Sequence, residues 1–144
     1  MADLRCTISL RQDQSKYLSV WPSDHTDAWF LCAKPLNDSR GTNWILRDIP
    51  GTSAKLLIKD GGAANGEVVT WTGGIQNIVL TRPRQEGWDE QVVVLDDVGG
   101  GYVAINNHDR DRVLDRSQSP EQDPFVISFK WNGHDNQQWL IHDR

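Results

Sequence analysis

The chain has 144 residues, enough for one domain with an ordinary core. Its 15 basic and 20 acidic residues leave a net charge of −5. That balance argues against sequence-independent nucleic-acid binding and against docking on anionic lipid, both of which require a basic face, and no apolar run approaches the roughly 20 residues that span a bilayer.

The opening Met1-Ala2-Asp3-Leu4-Arg5 is not a basic-then-apolar leader, so the expected location is cytoplasmic. Short apolar runs then alternate with turn chemistry, and no window carries a sustained 3.6-residue stripe. Ile8-Ser9-Leu10 leads through the turn residues Gln12–Ser15 to Tyr17-Leu18-Ser19-Val20-Trp21. Phe30–Pro35 follows, then Thr42-Asn43-Trp44-Ile45-Leu46. The same series begins again with Leu56-Leu57-Ile58, a turn at Asp60-Gly61-Gly62, and Val68-Val69-Thr70-Trp71. It continues with Ile78–Pro83 and Glu90-Gln91-Val92-Val93-Val94. After Gly99-Gly100-Gly101 the third series runs through Tyr102–Ile105, Val113-Leu114-Asp115, Val126–Trp131 and the ending Asn136-Gln137-Gln138-Trp139.

These series are in step. The runs at Phe30, Ile78 and Val126 start 48 residues apart both times, each with a basic residue fifth (Lys34, Arg82, Lys130). Trp44 to Val92 is 48 residues and Val92 to Trp139 is 47. A fixed period of this size marks an internal repeat. The expectation is one domain over residues 1–144, in three units of about 47 residues near 1–50, 51–98 and 99–144, with about four strands each. One such unit cannot bury its apolar face alone, so the three share a core, and closure into a barrel removes exposed strand edges.

Cys6 and Cys32 are the only cysteines and are expected reduced and buried. Asn37-Asp38-Ser39 fits a glycosylation pattern, without meaning in a cytosolic chain. Of the seven tryptophans, Trp44 and Trp139 are expected in the core. Trp21, Trp29, Trp71, Trp88 and Trp131 either close the barrel ends or serve as binding platforms. His25, His108, His134 and His142 show no ligand spacing, so no metal and no cofactor is expected. Asp109-Arg110-Asp111-Arg112 reads as a solvated hairpin tip. No nucleophile or phosphate-loop motif is present, and a closed barrel lacks the cleft that paired catalytic carboxylates need, so the chain is not expected to be an enzyme.

With Gln-x-Trp closing its third unit, the chain resembles the ricin-B-type β-trefoil lectins, and is similar to the short fungal trefoil lectins that carry no signal sequence. The resemblance covers the whole chain as architecture and is sharp as a motif only in the third unit. It implies an all-β trefoil that binds carbohydrate, with galactose or N-acetylgalactosamine glycans as the family default. It also assigns roles by position. Asp115 accepts from two sugar hydroxyls, Asn136 completes the clamp, Gln137 braces the site against backbone and the Asp, and Phe129 is the stacking plate. Phe129 stands where the family carries Trp or Tyr, and Trp131, on the same face by strand alternation, assists or replaces it. In the first two units the place of Asp115 falls to Val20 and Thr70, and that of Asn136 to Gly41 and Asp89, so no such site is expected there. The motif also reads as purely structural, with Asp115 satisfying a turn and Phe129 in the core. A single sugar contact is weak, so the partners expected are extended glycans or glycoconjugates and a homodimer. A different reading is a trefoil protease inhibitor presenting Lys34–Gly41 or Arg82–Asp89. A third is a protein-interaction trefoil with a decayed sugar site.

Overall fold

A computed structural model describes residues 3–22, 28–72, 77–120 and 124–144. His25 lies outside the described residues. The described residues form twelve strands in one antiparallel sheet. In chain order they are β1 (Asp3–Leu10), β2 (Lys16–Pro22), β3 (Trp29–Pro35), β4 (Trp44–Asp48), β5 (Lys55–Lys59) and β6 (Val68–Trp71). Then follow β7 (Val79–Arg82), β8 (Val94–Gly99), β9 (Tyr102–Asn106), β10 (Val113–Arg116), β11 (Val126–Phe129) and β12 (Trp139–Asp143). Short 3-10 turns at Asp89–Gln91 and Asp135–Gln137 precede β8 and β12.

Six of these strands close a ring. β1 pairs β4, β4 pairs β5, β8 pairs β9, β9 pairs β12, and β12 returns to β1. The link between β5 and β8 is a bridge in which Lys55 and Val93 exchange both backbone hydrogen bonds, each 2.8 Å. The other six form three hairpins, β2–β3, β6–β7 and β10–β11. These hairpins meet one another through Phe30↔Leu80, Ile78↔Ile127 and Cys32↔Phe125. A closed barrel capped by a triangle of hairpins is the arrangement of a β-trefoil.

The strands read as they do because one face of each is apolar. Ile8, Leu10, Leu18, Val20, Leu57, Val69, Val93, Ile105, Leu114 and Val126 meet in one core around Trp44 and Trp139, both 0% exposed. Their indoles do not bury an unpaired donor. Trp44 Nε1 donates to Leu18 O at 2.9 Å and Trp139 Nε1 to Leu114 O at 3.1 Å. Both cysteines are free and buried. Burial pushes the Cys6 thiol up to about 11 and the Cys32 thiol up to about 12, far from the reactive thiolate range.

Trp71 also joins the core, and Trp29 packs against it. Trp21 is half-buried, with the Lys34 ammonium 4.2 Å and the Arg40 guanidinium 4.5 Å from its ring centroid. Lys59 is buried as deeply as the core leucines, and Nζ donates to Arg40 O at 2.9 Å and Gly61 O at 2.8 Å. It ties the loop after β3 to the loop after β5. Gly62 adopts φ +64° beside it, where a Cβ would stand 2.5 Å from Arg40 O, a position only glycine fills. The Asp109–Arg112 run sits in the exposed β9–β10 turn, where Arg110 pairs with Asp96 and Arg112 donates to Asn77 Oδ1.

Candidate functional site

Asp115, Asn136 and Gln137 come together at the end of the β10–β11 hairpin. Asp115 lies on β10 opposite Ile127, and the 3-10 turn Asp135–Gln137 folds back over it. Asn136 Nδ2 donates to Asp115 Oδ1 at 3.1 Å, and Gln137 Nε2 donates to Asp115 Oδ2 at 2.7 Å. Gln137 further donates to Lys130 O at 2.8 Å and accepts from Asn132 N at 2.7 Å. Asn136 also donates to Arg116 O at 3.2 Å. All three side chains are buried, and each buried polar atom among the described residues has a partner.

The environment acts on Asp115 in two directions. Burial raises its carboxyl pKa above the usual value, while the amides of Gln137 and Asn136 and the field of His134 hold it down, and burial wins. The carboxylate is thus a fixed acceptor with one lone pair on each oxygen already engaged and further acceptor capacity left.

Phe129 ends β11 opposite Val113, on the same face as Ile127 and Asp115. Phe129 is 37% exposed and Trp131 44% exposed. Trp131 follows the end of the strand, so alternation does not fix its direction. The third unit therefore presents a buried carboxylate–amide set with the exposed Phe129 ring on the same strand face, and Trp131 exposed two residues further on.

The same frame recurs in the second unit, in a register that spacing alone misplaces. Gln91 Nε2 donates to Thr70 Oγ1 at 3.2 Å and to Pro83 O at 2.9 Å, and its Oε1 accepts from Gln85 N at 2.7 Å. These are the bonds of Gln137 with Thr70 in the place of Asp115. Gln91 is therefore the counterpart of Gln137, Glu90 that of Asn136, and Val93 that of Trp139. The expected assignments of Val92 to the tryptophan place and Asp89 to the asparagine place are corrected by one residue, and the second unit keeps its glutamine. Val93 is much smaller than a tryptophan. Trp71 enters the core instead, donating from Nε1 to Val92 O at 2.9 Å. In the first unit Leu18 receives the Trp44 indole as Leu114 receives that of Trp139. Ser19, not Val20, is thus the counterpart of Asp115, and its hydroxyl donates to Gly41 O at 2.8 Å. Arg82, opposite Val68, holds the place of Phe129. Neither unit repeats the acid–asparagine pair.

The basic loops are mostly tied down. Arg40 is bidentate to Asp38 and shares the Trp21 ring with Lys34, and Arg84 donates to Trp88 O at 3.3 Å. The Arg82 side chain makes no such bond among the described residues. No cluster of three or more potential metal ligands occurs among the described residues, and no described helix is long and apolar enough to cross a membrane.

No family model matches the chain, and no curated protein does. Solved structures do. A designed three-fold symmetric protein, ThreeFoil, superposes with a TM-score of 0.79 at 22% identity, over 97% of this chain and 99% of that one. The Rhizoctonia solani agglutinin gives 0.77 at 20% identity, over 100% and 97%. A BEL β-trefoil gives 0.73 at 13% identity, over 98% and 93%. Other matches are parts of longer proteins: the chain spans 18% of a mosquitocidal holotoxin and 30% of an exo-β-1,3-galactanase from Clostridium thermocellum. At these identities the likeness establishes the fold, a β-trefoil.

Proposed function

We propose that this chain is a carbohydrate-binding protein that holds galactose or N-acetylgalactosamine glycans reversibly at its third unit. The observation that carries the reading is the Asp115 carboxylate held by the amides of Asn136 and Gln137, with the exposed Phe129 ring on the same strand face; Trp131, also exposed, is a second candidate plate. A sugar ring has an apolar C–H face and hydroxyl edges. An aromatic plate covers the first, and a preoriented carboxylate with an amide meets the second. Gln137 positions the acid and does not itself need to touch sugar. The names of several neighbours fit this class. One is an agglutinin, and two act on galactose-containing glycans, the exo-β-1,3-galactanase and an endo-β-galactosidase from Clostridium perfringens.

In this reading the chain is one domain of three units of about 47 residues, it breaks no bond, and it needs no cofactor. It acts in the cytoplasm, and several sites per assembly, in a homodimer or along an extended glycan, raise a weak single contact to useful avidity. The inhibitor reading is weaker, because Lys34, Arg40 and Arg84 are engaged within the fold and leave Arg82 alone to fill a protease pocket.

The test is a titration of tryptophan fluorescence with galactosides. A saturable change in the wild type that disappears in Asp115→Ala is the expected result. A signal that survives in Asp115→Ala places the sugar elsewhere, and trypsin inhibition without any sugar response would replace this reading by the other.

A further inference from the structure

A pocket of about 440 Å³ lies at the end of the β6–β7 hairpin, lined by Thr70, Arg82, Gln85, Trp88 and Glu90 among others. It stands in the second unit where the clamp stands in the third, because Gln91 holds the closing turn against the hairpin as Gln137 does. Its contents differ. Thr70 is buried, and its hydroxyl donates to Val68 O at 3.1 Å and accepts from Gln91 Nε2 at 3.2 Å. The floor is therefore neutral and offers no carboxylate to a sugar. The aromatic and polar places are also exchanged. On the strand, Arg82 replaces Phe129 and shares a face with Val68 and Thr70. On the turn, Trp88 caps Asp89–Gln91 where His134 caps Asp135–Gln137, and Glu90 takes the place of Asn136.

Arg82 and Glu90 are the charged side chains of this pocket among the described residues. Neither makes a hydrogen bond or an ion pair, with the other or with any other described residue. The charges around them are engaged elsewhere. Arg84 donates to Trp88 O at 3.3 Å and to Gln91 Oε1 at 3.5 Å. His108, which feels the field of Glu90, is held between Asp89 Oδ2 at 3.6 Å and Asp109 Oδ1 at 2.9 Å. One cation and one anion thus face a common pocket unpaired, beside an aromatic ring. A neutral sugar answers neither charge. A simple anion answers Arg82 and is repelled by Glu90, and a simple cation does the reverse. A ligand carrying both charges answers both. Its cation is best an alkylated ammonium, because an indole face attracts a weakly hydrated cation. Its anion is best a phosphate or a carboxylate, which the planar fork of an arginine takes through paired N–H groups. The volume suits a ligand of this size.

We propose that the second unit holds a small zwitterion, an alkylated ammonium joined to a phosphate or a carboxylate, with the ammonium against Trp88 and Glu90 and the anion on Arg82. The site is independent of the carbohydrate reading, whose residues belong to the third unit.

The experiment is calorimetric titration of the full chain with two zwitterions, phosphocholine and glycine betaine, and with choline, inorganic phosphate and galactose. A zwitterion is expected to bind at one site per chain, about tenfold or more tighter than choline or phosphate alone. Arg82→Gln and Glu90→Gln should each weaken it about tenfold or more and leave the unfolding midpoint unchanged. Arg5→Gln, an exposed net-charge control, should leave the affinity as it was, and excess galactose should not displace the zwitterion. The tighter of the two zwitterions tells which anion the pocket fits. Displacement of phosphocholine by phosphatidylcholine vesicles identifies a lipid headgroup as the source, and lack of displacement a soluble ligand; either supports the site. Failure of both zwitterions to bind, equal affinity for choline or phosphate alone, displacement by galactose, or binding that survives both substitutions overturns the proposal. None of these outcomes touches the third-unit reading, which stands or falls with Asp115→Ala.

Discussion

In the proposed carbohydrate site, Asp115 joins stability and binding in one side chain, with opposite signs. Its raised pKa means that the folded chain takes up a proton more readily than the unfolded one. Its contribution to stability is therefore complete below the ordinary carboxyl value of 3.8 and is lost as pH rises through the raised value. Hydroxyl acceptance needs the ionised form. Galactoside affinity should accordingly fall on acidification and begin to fall above the pH at which a solvated aspartate protonates. Affinity that stays flat down to about pH 4 would show that this carboxylate is not the acceptor. Removing the acid also strands two buried amides. Asp115→Ala should cost about 1–3 kcal/mol of unfolding free energy for each unsatisfied group, which denaturant titration reads directly.

The short segment that closes each unit is a structural device first. In the second unit the glutamine fixes Thr70, Pro83 and Gln85 together with no acid to present, so the frame persists where the clamp is gone. Gln91→Ala is expected to lower stability by about 1–3 kcal/mol and to leave third-unit sugar affinity as it was. Equal unfolding midpoints would deny the frame its structural role. The exchange of Trp71 for the missing tryptophan carries a second expectation. Val93 cannot fill the volume that Trp139 fills, so truncation of Trp71 opens the core at that point. Trp71→Ala should cost about 3–5 kcal/mol, comparable with truncating Trp44 or Trp139, whereas an exposed Trp131→Ala should scarcely change the midpoint.

At the scale of the molecule, β1 is the hub. It pairs with β2 and β4 from its own unit and with β12 from the far end, where Cys6 meets Asp143. Arg144 continues this seam, donating to Cys6 O, Trp44 O and Asp60 Oδ2. A barrel closed by its first and last strands has no unit that retains its partners when another opens. Fluorescence and far-ultraviolet dichroism should therefore report one coincident unfolding transition. Two resolved transitions would mean that the units are independently stable. Because the closing contact spans nearly the whole chain, folding should be slow for this length, on the order of milliseconds to seconds.

The all-β class, the repetition and the burial of Trp44 and Trp139 were legible in the chain alone, written in local alternation and in spacing, because a strand side chain faces in or out every second residue and a repeated unit repeats its contacts. The grouping of Asp115 with Asn136 and Gln137 was not: it was expected only from the resemblance to the trefoil lectins, and the folded chain brings the three together. Only the tertiary structure decided the register of the second unit. Val92 and Val93 are chemically alike, and a slip of one position reverses every face, so the bonds of Gln91 were needed to tell them apart. The exchange of Trp71 for a core tryptophan was equally hidden, since it is a matter of volume shared across strands.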